Sequence, residues 1–345
     1  MRILYGIQGT GNGHLARAKA ILPELRKFAE VDLLISGEQS ELSLDQAVKY
    51  RLKGVSLIFG KKGGIDYQKS LQKAKLGKFI KDTKKIPVLD YDLVLSDFEP
   101  VSAWAARGKA VPLVQMSNQS SLLSPHFPKP KNIDFLTSLV LKYFAPGDYY
   151  LPISYQAYAD NFYTPPIRKE VRVLQVYEGK HYLVYLPAYS DKKVAELLNE
   201  IADERFQVFT KKSKFAYKQG NCEFQPIQDE CFLKSLASCA GVITAAGFST
   251  SSEALFLGKK LLVIPMKKQF EQLANAQALK QMGVSILKSF KKKRITEIQE
   301  WMFLAQGIQV DFPESEVAIA KAIQEIGLKH RDNFLDQITT EQYLS

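Results

Sequence analysis

Two stretches of the chain combine glycine with polar side chains in patterns that could support chemistry. The first is Gly9-Thr10-Gly11-Asn12-Gly13-His14, which follows a short apolar strand and ends in a histidine that can accept a proton near neutral pH. The second is Gly247-Phe248-Ser249-Thr250-Ser251, in which hydroxyl groups follow a β-branched strand at residues 242–244. Small residues let a ligand approach the backbone, and helix starts offer unpaired N–H groups to phosphate. The second stretch therefore predicts an anion site.

The elements around the second stretch can be placed from their periodicity. Thr250 is predicted to open a helix, with Glu253 three residues later in a capping-box pattern and Gly258 at the C-terminal end. Residues 261–265 are predicted to form the next strand, and residues 270–282 the next helix. That helix begins with Glu271, Gln272 and Asn275, so a second polar cluster is expected at the same edge of the sheet.

Taken together, these motifs resemble the donor-binding signature of GT-B glycosyltransferases. The segments G-F-S-T-S-S-E-A-L-x-x-G-K-x-x-L-V-I-P and E-Q-x-x-N-A are most similar to the family 28 branch. The resemblance implies that Glu253 binds the ribose hydroxyls of a UDP-sugar, and that the backbone and hydroxyls of residues 247–251 hold its diphosphate. It also implies that Glu271 and Gln272, with Asn275 in the same cluster, hold the donor sugar.

The glycine-rich turn has two interpretations. Its G-x-G-x-G-H spacing differs from the G-x-G-x-x-G fingerprint of dinucleotide-binding proteins, in which Glu38 would be the ribose acid. The G-[TS]-G-x-G-H form instead resembles the first loop of the family 28 enzymes, where glycines admit the substrates and the histidine stands near the acceptor. We favour this second interpretation because the turn lies at the expected place relative to the donor motif.

Three further polar residues follow predicted strands and are expected to face the same crevice as His14. Asp97 and Glu99 end the strand at residues 91–97, and Asn118 follows the strand at residues 111–116. His14 begins a helix, whose positive end disfavours the imidazolium form, so its ring is a candidate base. Asp97 could orient His14 or be the base itself, and Glu99 is a third candidate. The sequence leaves the choice open.

The alternation of strands and helices, together with the resemblance, predicts an α/β protein with the GT-B architecture, in which two Rossmann-like parallel-sheet domains face each other across a cleft. Pro165-Pro166 marks the expected boundary between an N-terminal acceptor-side domain at residues 1–165 and a C-terminal nucleotide-sugar domain at residues 166–345. A terminal helix near residues 317–326 is expected to return to the N-terminal domain. Pro23 should kink or shorten the helix predicted at residues 15–28.

Composition argues against several classes of protein. Hydrophobic residues make up 46% of the 345-residue chain, which suits two soluble domains. No apolar run approaches the roughly 18 residues that a membrane span requires. The three cysteines lack metal-ligand spacing and indicate a reducing, cytoplasmic setting, and residues 1–6 are predicted to form a strand and not a signal peptide. No metal or cofactor is expected.

The chain is strongly basic. Its formal charge is +11, from 47 basic and 36 acidic residues, so the surface should attract acidic partners. Residues 69–85 carry seven lysines, and a second group combines Lys129 and Lys131 with Leu122, Leu123 and Phe127. Such groups predict weak docking on an anionic membrane surface, although the apolar residues could instead cover the core of their own domain. No nucleic acid partner is expected, because aromatic-and-basic recognition segments and zinc-finger spacing are missing.

The resemblance implies transfer of a sugar from a nucleoside-diphosphate sugar, most simply a UDP-sugar, to a hydroxyl of a glycan or glycolipid. The displacement would be metal-independent and inverting, with N–H groups at residues 247–251 stabilising the charge on the leaving diphosphate. A sugar-nucleotide 2-epimerase shares the fold, but Met266-Lys267-Lys268-Gln269-Phe270 replaces the arginine-containing segment expected after its last strand. An NAD enzyme would leave the cluster on residues 271–275 without a role.

Overall fold

The computed structural model describes residues 1–37, 46–54, 76–129, 135–267 and 269–344. Glu38, the lysines of residues 69–75, Lys131 and Lys268, which entered the sequence interpretation, lie outside these residues. Within the described chain, two separate and largely parallel sheets are flanked by helices. This arrangement confirms the predicted α/β class with two Rossmann-like domains.

The N-terminal sheet contains six parallel strands in the order β3-β2-β1-β4-β5-β6. They are β1 (Arg2–Gln8), β2 (Glu30–Ser36), β3 (Tyr50–Leu52), β4 (Leu93–Asp97), β5 (Leu113–Ser117) and β6 (Tyr149–Pro152). β1 is central, and its Ile3 is in register with Val31 of β2 and Leu93 of β4. All three side chains are buried, as expected for apolar parallel strands covered on both faces.

Helices connect the strands of this sheet. In the described residues they are α1 (Asn12–Leu25), α2 (Leu76–Lys85), α3 (Pro100–Ala106), α4 (Asn118–Ser121) and α5 (Phe135–Tyr143). α1 begins earlier than the predicted residue 15 and ends at Leu25 instead of residue 28. Pro23 lies in its last turn, so the predicted early end of this helix is confirmed.

The C-terminal sheet has the order β13-β12-β11-β7-β8-β10-β9, and β9 runs antiparallel to its neighbour β10. The strands are β7 (Tyr182–Tyr185), β8 (Phe206–Thr210), β9 (Tyr217–Gln219), β10 (Cys222–Pro226), β11 (Gly241–Thr244), β12 (Lys260–Val263) and β13 (Ser285–Ile286). β11 lies between β7 and β12, where its Val242 and Ile243 are fully buried. The strand before the predicted anion site is therefore an interior strand, as its β-branched sequence indicates.

The helices of the C-terminal half follow the same alternation. They are α6 (Lys169–Arg172), α7 (Asp191–Leu198), α8 (Asp229–Ser238), α9 (Phe248–Phe256), α10 (Phe270–Gln281), α11 (Ile295–Leu304) and α12 (Ser315–Leu344). The predicted capping box is wrong, because α9 begins at Phe248 with Gly247 as its N-cap, and Thr250 lies inside the first turn. Gly258 and Gly283 adopt φ angles of 64° and 90° just after α9 and α10, as expected at helix ends.

The last helix lies against the N-terminal half. Ile319 and Ile323 of α12 belong to the same buried cluster as Leu15 of α1, and the two helices are in contact. Farther along α12, Gly327 lies against Met1 of the first strand region. The chain therefore crosses back to the first sheet after it completes the second, and α12 joins the two halves.

Each sheet reverses its strand order at one position, and these two positions bring the polar residues together. In the N-terminal sheet β1 lies between β2 and β4, so the loops after β1 and β4 open into one crevice. In the C-terminal sheet the loops after β7 and β11 do the same. Ligands of open α/β sheets bind in such crevices beyond the carboxyl ends of the strands. His14 and Asp97 lie at the first crevice, and Gly247 lies at the second.

Glu99 lies near this edge but caps a helix. Its carboxylate accepts hydrogen bonds from the backbone N–H groups of Val101 (2.7 Å) and Ser102 (2.6 Å) and from the Ser36 hydroxyl (2.5 Å). The side chain is fully buried, and burial raises the pKa of its carboxyl while the hydrogen bonds oppose the rise. The candidate role of Glu99 as a base is therefore corrected: the carboxylate serves the first turn of α3 and is inaccessible to a substrate.

The apolar residues at positions 122 and 127 cover the protein's own core. Leu122 is 2% exposed and Phe127 is 5% exposed, and the Phe127 ring packs edge-on against Tyr158 at 5.3 Å between ring centroids. Their predicted place in a membrane-docking surface is therefore corrected, because neither side chain can reach a bilayer. In the part of the chain that the structure describes, we find no helix with the length and apolar character of a membrane span.

Gly6 of β1 lies where α3 crosses the sheet, and a side chain there would collide with Ser102 and Glu99. We expect Gly6→Ala to lower the free energy of unfolding by about 1–3 kcal/mol, because overpacking forces its neighbours to move. Chemical denaturation followed by circular dichroism measures this change. Gly77→Ala on α2 is the control, since no described atom lies within 4 Å of the added methyl group. Its stability should stay equal or rise by up to about 1 kcal/mol. Equal stability of the two variants would contradict this packing.

Candidate active site

His14 lies in the first turn of α1, directly after the glycine-rich loop. Its Nδ1 lies 2.8 Å from Oδ1 of Asp97, the last residue of β4. An ionised carboxylate can only accept hydrogen bonds, so this contact indicates that Nδ1 carries a proton and donates it. The other ring nitrogen, Nε2, is then the one that can accept a proton. The side chain is 13% exposed, which leaves the ring accessible from the crevice.

Asp97 is fully buried and stays charged because of its neighbours. Burial would raise the pKa of its carboxyl, yet the Arg17 guanidinium and the His14 ring hold that pKa below its usual value. Phe98, the next residue, has a φ of 51°, which is an uncommon backbone conformation for a bulky side chain. This turn separates two neighbouring carboxylates with different partners: Asp97 contacts α1, and Glu99 caps α3.

Arg17 is a site residue that the motifs did not predict. One turn after His14 on α1, its Nε and Nη2 donate to Oδ2 and Oδ1 of Asp97 at 2.8 and 2.6 Å. Its Nη1 donates to Oδ1 of Asn118 at 3.3 Å. The signal that could have found it is the i, i+3 spacing from His14, because residues three apart share a helix face.

The loop before His14 lies between the two halves of the protein. The N–H of Gly9 donates to the carbonyl oxygen of Ser36 at 2.7 Å, which ties the start of the loop to the end of β2. At the other end, the carbonyl oxygen of Gly13 accepts a hydrogen bond from the Ser249 hydroxyl of α9 at 3.3 Å. The residues between them are Thr10, Gly11, which is the N-cap of α1, and Asn12, which is its first residue. The predicted cleft loop thus contacts the predicted donor motif.

Glu271 meets the first half across the same crevice. It lies in the first turn of α10, and its two carboxylate oxygens accept hydrogen bonds from Nδ2 of Asn118 (2.8 Å) and Nε2 of Gln119 (3.1 Å). Gln119 was not predicted, whereas Asn118 was. Because Asn118 also accepts from the guanidinium of Arg17, polar contacts run without a break from His14 through Asp97 and Arg17 to Glu271.

The start of α9 faces the loop before His14. The first bond within this helix runs from the N–H of Ser251 to the carbonyl oxygen of Gly247 at 3.4 Å, so the N–H groups of residues 248–250 precede the intrahelical bonds. N–H groups in this position bind anions. The Phe248 ring lies 4.7 Å from the ring of Tyr155, centroid to centroid, and this contact fixes the helix start.

Glu253 is held by an arginine that the motifs also did not predict. Its Oε1 accepts a hydrogen bond from Nε of Arg168 at 2.8 Å, and both side chains are largely buried. Arg168 donates to Asp229 at 2.6 Å, and Asp229 accepts from Lys19 of α1 at 3.0 Å. These ion pairs connect α9 to the first half of the protein.

Two other residues of the donor motif support the backbone. The side-chain oxygen of Gln272 accepts a hydrogen bond from the Met266 N–H at 3.0 Å, and Nδ2 of Asn275 donates to the carbonyl oxygen of Ala246 at 3.1 Å. Both amide side chains are buried. Of the predicted cluster on α10, the structure brings Glu271 to the crevice and uses Gln272 and Asn275 to fix the neighbouring loops.

The crevice offers the N–H groups that start α9 to a ligand. Arg17, Arg168 and Lys19 lie beside it, and each is already paired with a carboxylate. Across the described ranges, histidine, cysteine, aspartate and glutamate side chains form no group that could hold a metal ion. The N–H groups that start α9 suit an anionic group such as a diphosphate.

Comparison with known proteins gives a family and a fold. Residues 1–303 match the family model described as Glycosyl transferase family 1. No curated protein matches the chain significantly in sequence.

Several solved glycosyltransferases share the fold. MurG from Acinetobacter baumannii has a TM-score of 0.52 at 14% identity, with 94% of this chain and 99% of that chain covered. UGT89C1 from Arabidopsis thaliana, complexed with UDP-L-rhamnose, has a TM-score of 0.57 at 12% identity, with 97% and 98% covered. The spinosyn forosaminyltransferase SpnP has a TM-score of 0.53 at 15% identity, with 96% and 95% covered.

These findings confirm the predicted GT-B architecture and the resemblance to glycosyltransferases. They do not favour the alternatives, namely a sugar-nucleotide epimerase, an NAD enzyme or a nucleic-acid-binding protein. The family model spans both sheets, the glycine-rich loop and the donor motif. The chain therefore belongs to glycosyl transferase family 1 and is a glycosyltransferase with the GT-B fold.

Proposed function

We propose that the enzyme transfers a sugar from a UDP-sugar to a hydroxyl group of a glycan or glycolipid. In this proposal residues 1–165 form the acceptor-side domain and residues 166–345 the nucleotide-sugar domain. One observation carries it: the His14–Asp97 pair faces the starts of α9 and α10 across a single crevice, where Ser249 contacts Gly13. A proton acceptor and an anion site on opposite walls of one cleft support transfer between two substrates.

The donor would lie along the C-terminal wall of the cleft. The N–H groups and positive dipole end of α9 suit the diphosphate. The family resemblance assigns the ribose hydroxyls to Glu253, whose Oε1 is held by Arg168. Glu271 suits the sugar, whose hydroxyls would replace the amide groups that Asn118 and Gln119 now donate to it. Structures of the Arabidopsis enzyme contain UDP or UDP-L-rhamnose, which supports a UDP-linked donor here.

The chemical step needs one proton acceptor and one stabilised leaving group. Nε2 of His14 takes the proton of the acceptor hydroxyl while that oxygen bonds to the anomeric carbon. The bond from this carbon to the diphosphate oxygen breaks, and its electron pair leaves with UDP. Attack from the face opposite the leaving group inverts the anomeric configuration. The start of α9 stabilises the charge on the diphosphate without a metal ion, and Asp97 stabilises the imidazolium.

UDP and UDP-sugars should stabilise the protein by about 2.7 kcal/mol at 100 times Kd and raise its melting temperature. Glu253→Gln should reduce this shift, because a neutral amide is a weaker acceptor for ribose hydroxyls than a carboxylate. Glu230→Gln on the exposed side of α8 is the matched control and should retain it. Differential scanning fluorimetry measures both variants. A shift with NAD and none with any uridine nucleotide would contradict the proposal.

His14→Ala should lower turnover by about 10²–10⁴, because the general base is removed. The melting shift produced by UDP should stay close to that of the wild type, since His14 lies on the acceptor wall. Release of UDP by slow donor hydrolysis gives the rate without a known acceptor. His126→Ala, in an exposed turn, controls for loss of a histidine and should keep full activity. Wild-type turnover in His14→Ala would contradict the proposed role of His14 as the base.

We also propose that the enzyme is cytoplasmic and docks weakly on anionic membranes through α2. Leu76 is 58% exposed and Ile80 is 45% exposed, and the exposed Lys78 and Lys81 lie on the same short helix. Apolar side chains beside lysines favour the interface of an anionic bilayer, where each basic residue contributes about 1 kcal/mol.

The double variant Lys78→Glu/Lys81→Glu should lose co-sedimentation with phosphatidylserine-containing vesicles at low salt. The double variant Lys192→Glu/Lys193→Glu on α7 makes the same change in charge elsewhere and should keep it. With vesicles of phosphatidylcholine alone, little of either double variant should sediment. Equal recovery of the wild type in the supernatants of both kinds of vesicle at low salt would leave a soluble acceptor as the better proposal.

A further inference from the structure

Arg17 contacts both members of the proposed proton-accepting pair. Its side chain is 3% exposed, and its guanidinium holds Asp97 through two bonds, from Nε to Oδ2 at 2.8 Å and from Nη2 to Oδ1 at 2.6 Å. The same Nη2 lies 3.0 Å from Nδ1 of His14. A two-bond contact of this kind fixes the plane of a carboxylate as well as its charge.

The three side chains meet at one oxygen atom, Oδ1 of Asp97. It receives Nη2 of Arg17 and, at 2.8 Å, Nδ1 of His14. With the ring proton on Nδ1, this nitrogen donates to Oδ1. With the proton on Nε2, Nδ1 could accept from Nη2 of Arg17 at 3.0 Å, but it would then face the closer carboxylate oxygen, acceptor against acceptor. The shorter contact with the carboxylate therefore favours the tautomer whose Nε2 is unprotonated.

The charge of Arg17 acts on Asp97. The guanidinium lies against the carboxylate and opposes the rise in its pKa that burial would cause. The other charged or titratable groups facing the cluster are Tyr5 of β1, whose burial raises the pKa of its hydroxyl and keeps it neutral, and Glu271 of α10, which acts on Arg17 across the cleft.

We propose that Arg17 is a positioning residue for glycosyl transfer: it keeps Asp97 an ionised, oriented carboxylate and thereby keeps His14 in the form that accepts the acceptor's proton. The proposal rests on the proposed role of His14 as base. It adds Arg17 to the His14–Asp97 pair, so that three side chains act together. Two of the three, His14 and Arg17, come from consecutive turns of α1. Arg17 also contacts Asn118, which binds Glu271, so the orientation of the base depends on the wall that would hold the donor sugar.

Arg17→Gln and Arg17→Lys test this in the full-length enzyme with UDP release as the readout. Arg17→Gln should lower kcat by about 10-fold to 100-fold, less than removal of the base itself, with little change in KM for the donor. On acidification, Arg17→Gln should also lose activity at a higher pH than the wild type does. The reason is that burial raises the pKa of Asp97 and Arg17 opposes this rise, so the carboxyl is protonated earlier once Arg17 is lost. Arg17→Lys retains a cation and should keep the wild-type pH profile with a smaller loss of kcat.

Folding and function are separated by two controls. Arg26→Gln removes a cation from the exposed end of the same helix and should leave both kcat and the pH profile unchanged. The melting shift with UDP identifies variants that still fold and bind nucleotide. A pH profile of Arg17→Gln that matches the wild type, while His14→Ala is inactive, would overturn this inference and leave the proposed function intact. Full activity of His14→Ala would instead overturn both.

Discussion

The buried carboxylate of Asp97 is the constraint on which the arrangement of the cleft depends. An ionised group in the interior is stable only when charges and hydrogen bonds compensate for its lost hydration. Asp97 obtains both from α1, through Arg17 and His14. This requirement holds the first turns of α1 against the end of β4, and the glycine-rich loop allows the chain to pass from β1 into α1 within a few residues. The histidine ring is thereby aimed by the same contacts that keep the carboxylate charged.

The contacts across the cleft involve the groups that substrates would need. Glu271 is occupied by Asn118 and Gln119, and the carbonyl oxygen of Gly13 by Ser249. In the structure described here the halves therefore satisfy each other's polar groups, and bound substrates would exchange these partners for their own hydroxyl and phosphate groups. Apolar packing of α12 on α1 keeps the halves together while such an exchange takes place.

Local pattern was sufficient to predict interior strands such as β1, β4, β5, β11 and β12, and with the family resemblance it placed His14, Asp97, Asn118 and Glu271 at one crevice. The short strands β3, β6, β9 and β13 were not predicted. Local pattern was insufficient where partners are distant in sequence: Arg17 and Asp97 are 80 residues apart, and Arg168 and Glu253 are 85 apart. The error at Thr250 arose because Gly247 starts α9 one turn earlier. Glu99 carried a usable signal, since a residue before a proline at the first helical position is a natural N-cap. Burial, which decides between a cap and a base, depends on tertiary packing.

A single displacement in which His14 is the base inverts the anomeric configuration of the transferred sugar, and this inversion can be measured directly. The enzyme is incubated with a panel of UDP-sugars in buffered water containing methanol, so that methanol intercepts the sugar and prevents its anomers from equilibrating. Proton NMR of the methyl glycoside gives its anomeric configuration. The mechanism predicts a glycoside of the configuration opposite to that of the donor, formed by the wild type and lost in His14→Ala. A glycoside with the donor's own configuration would contradict it.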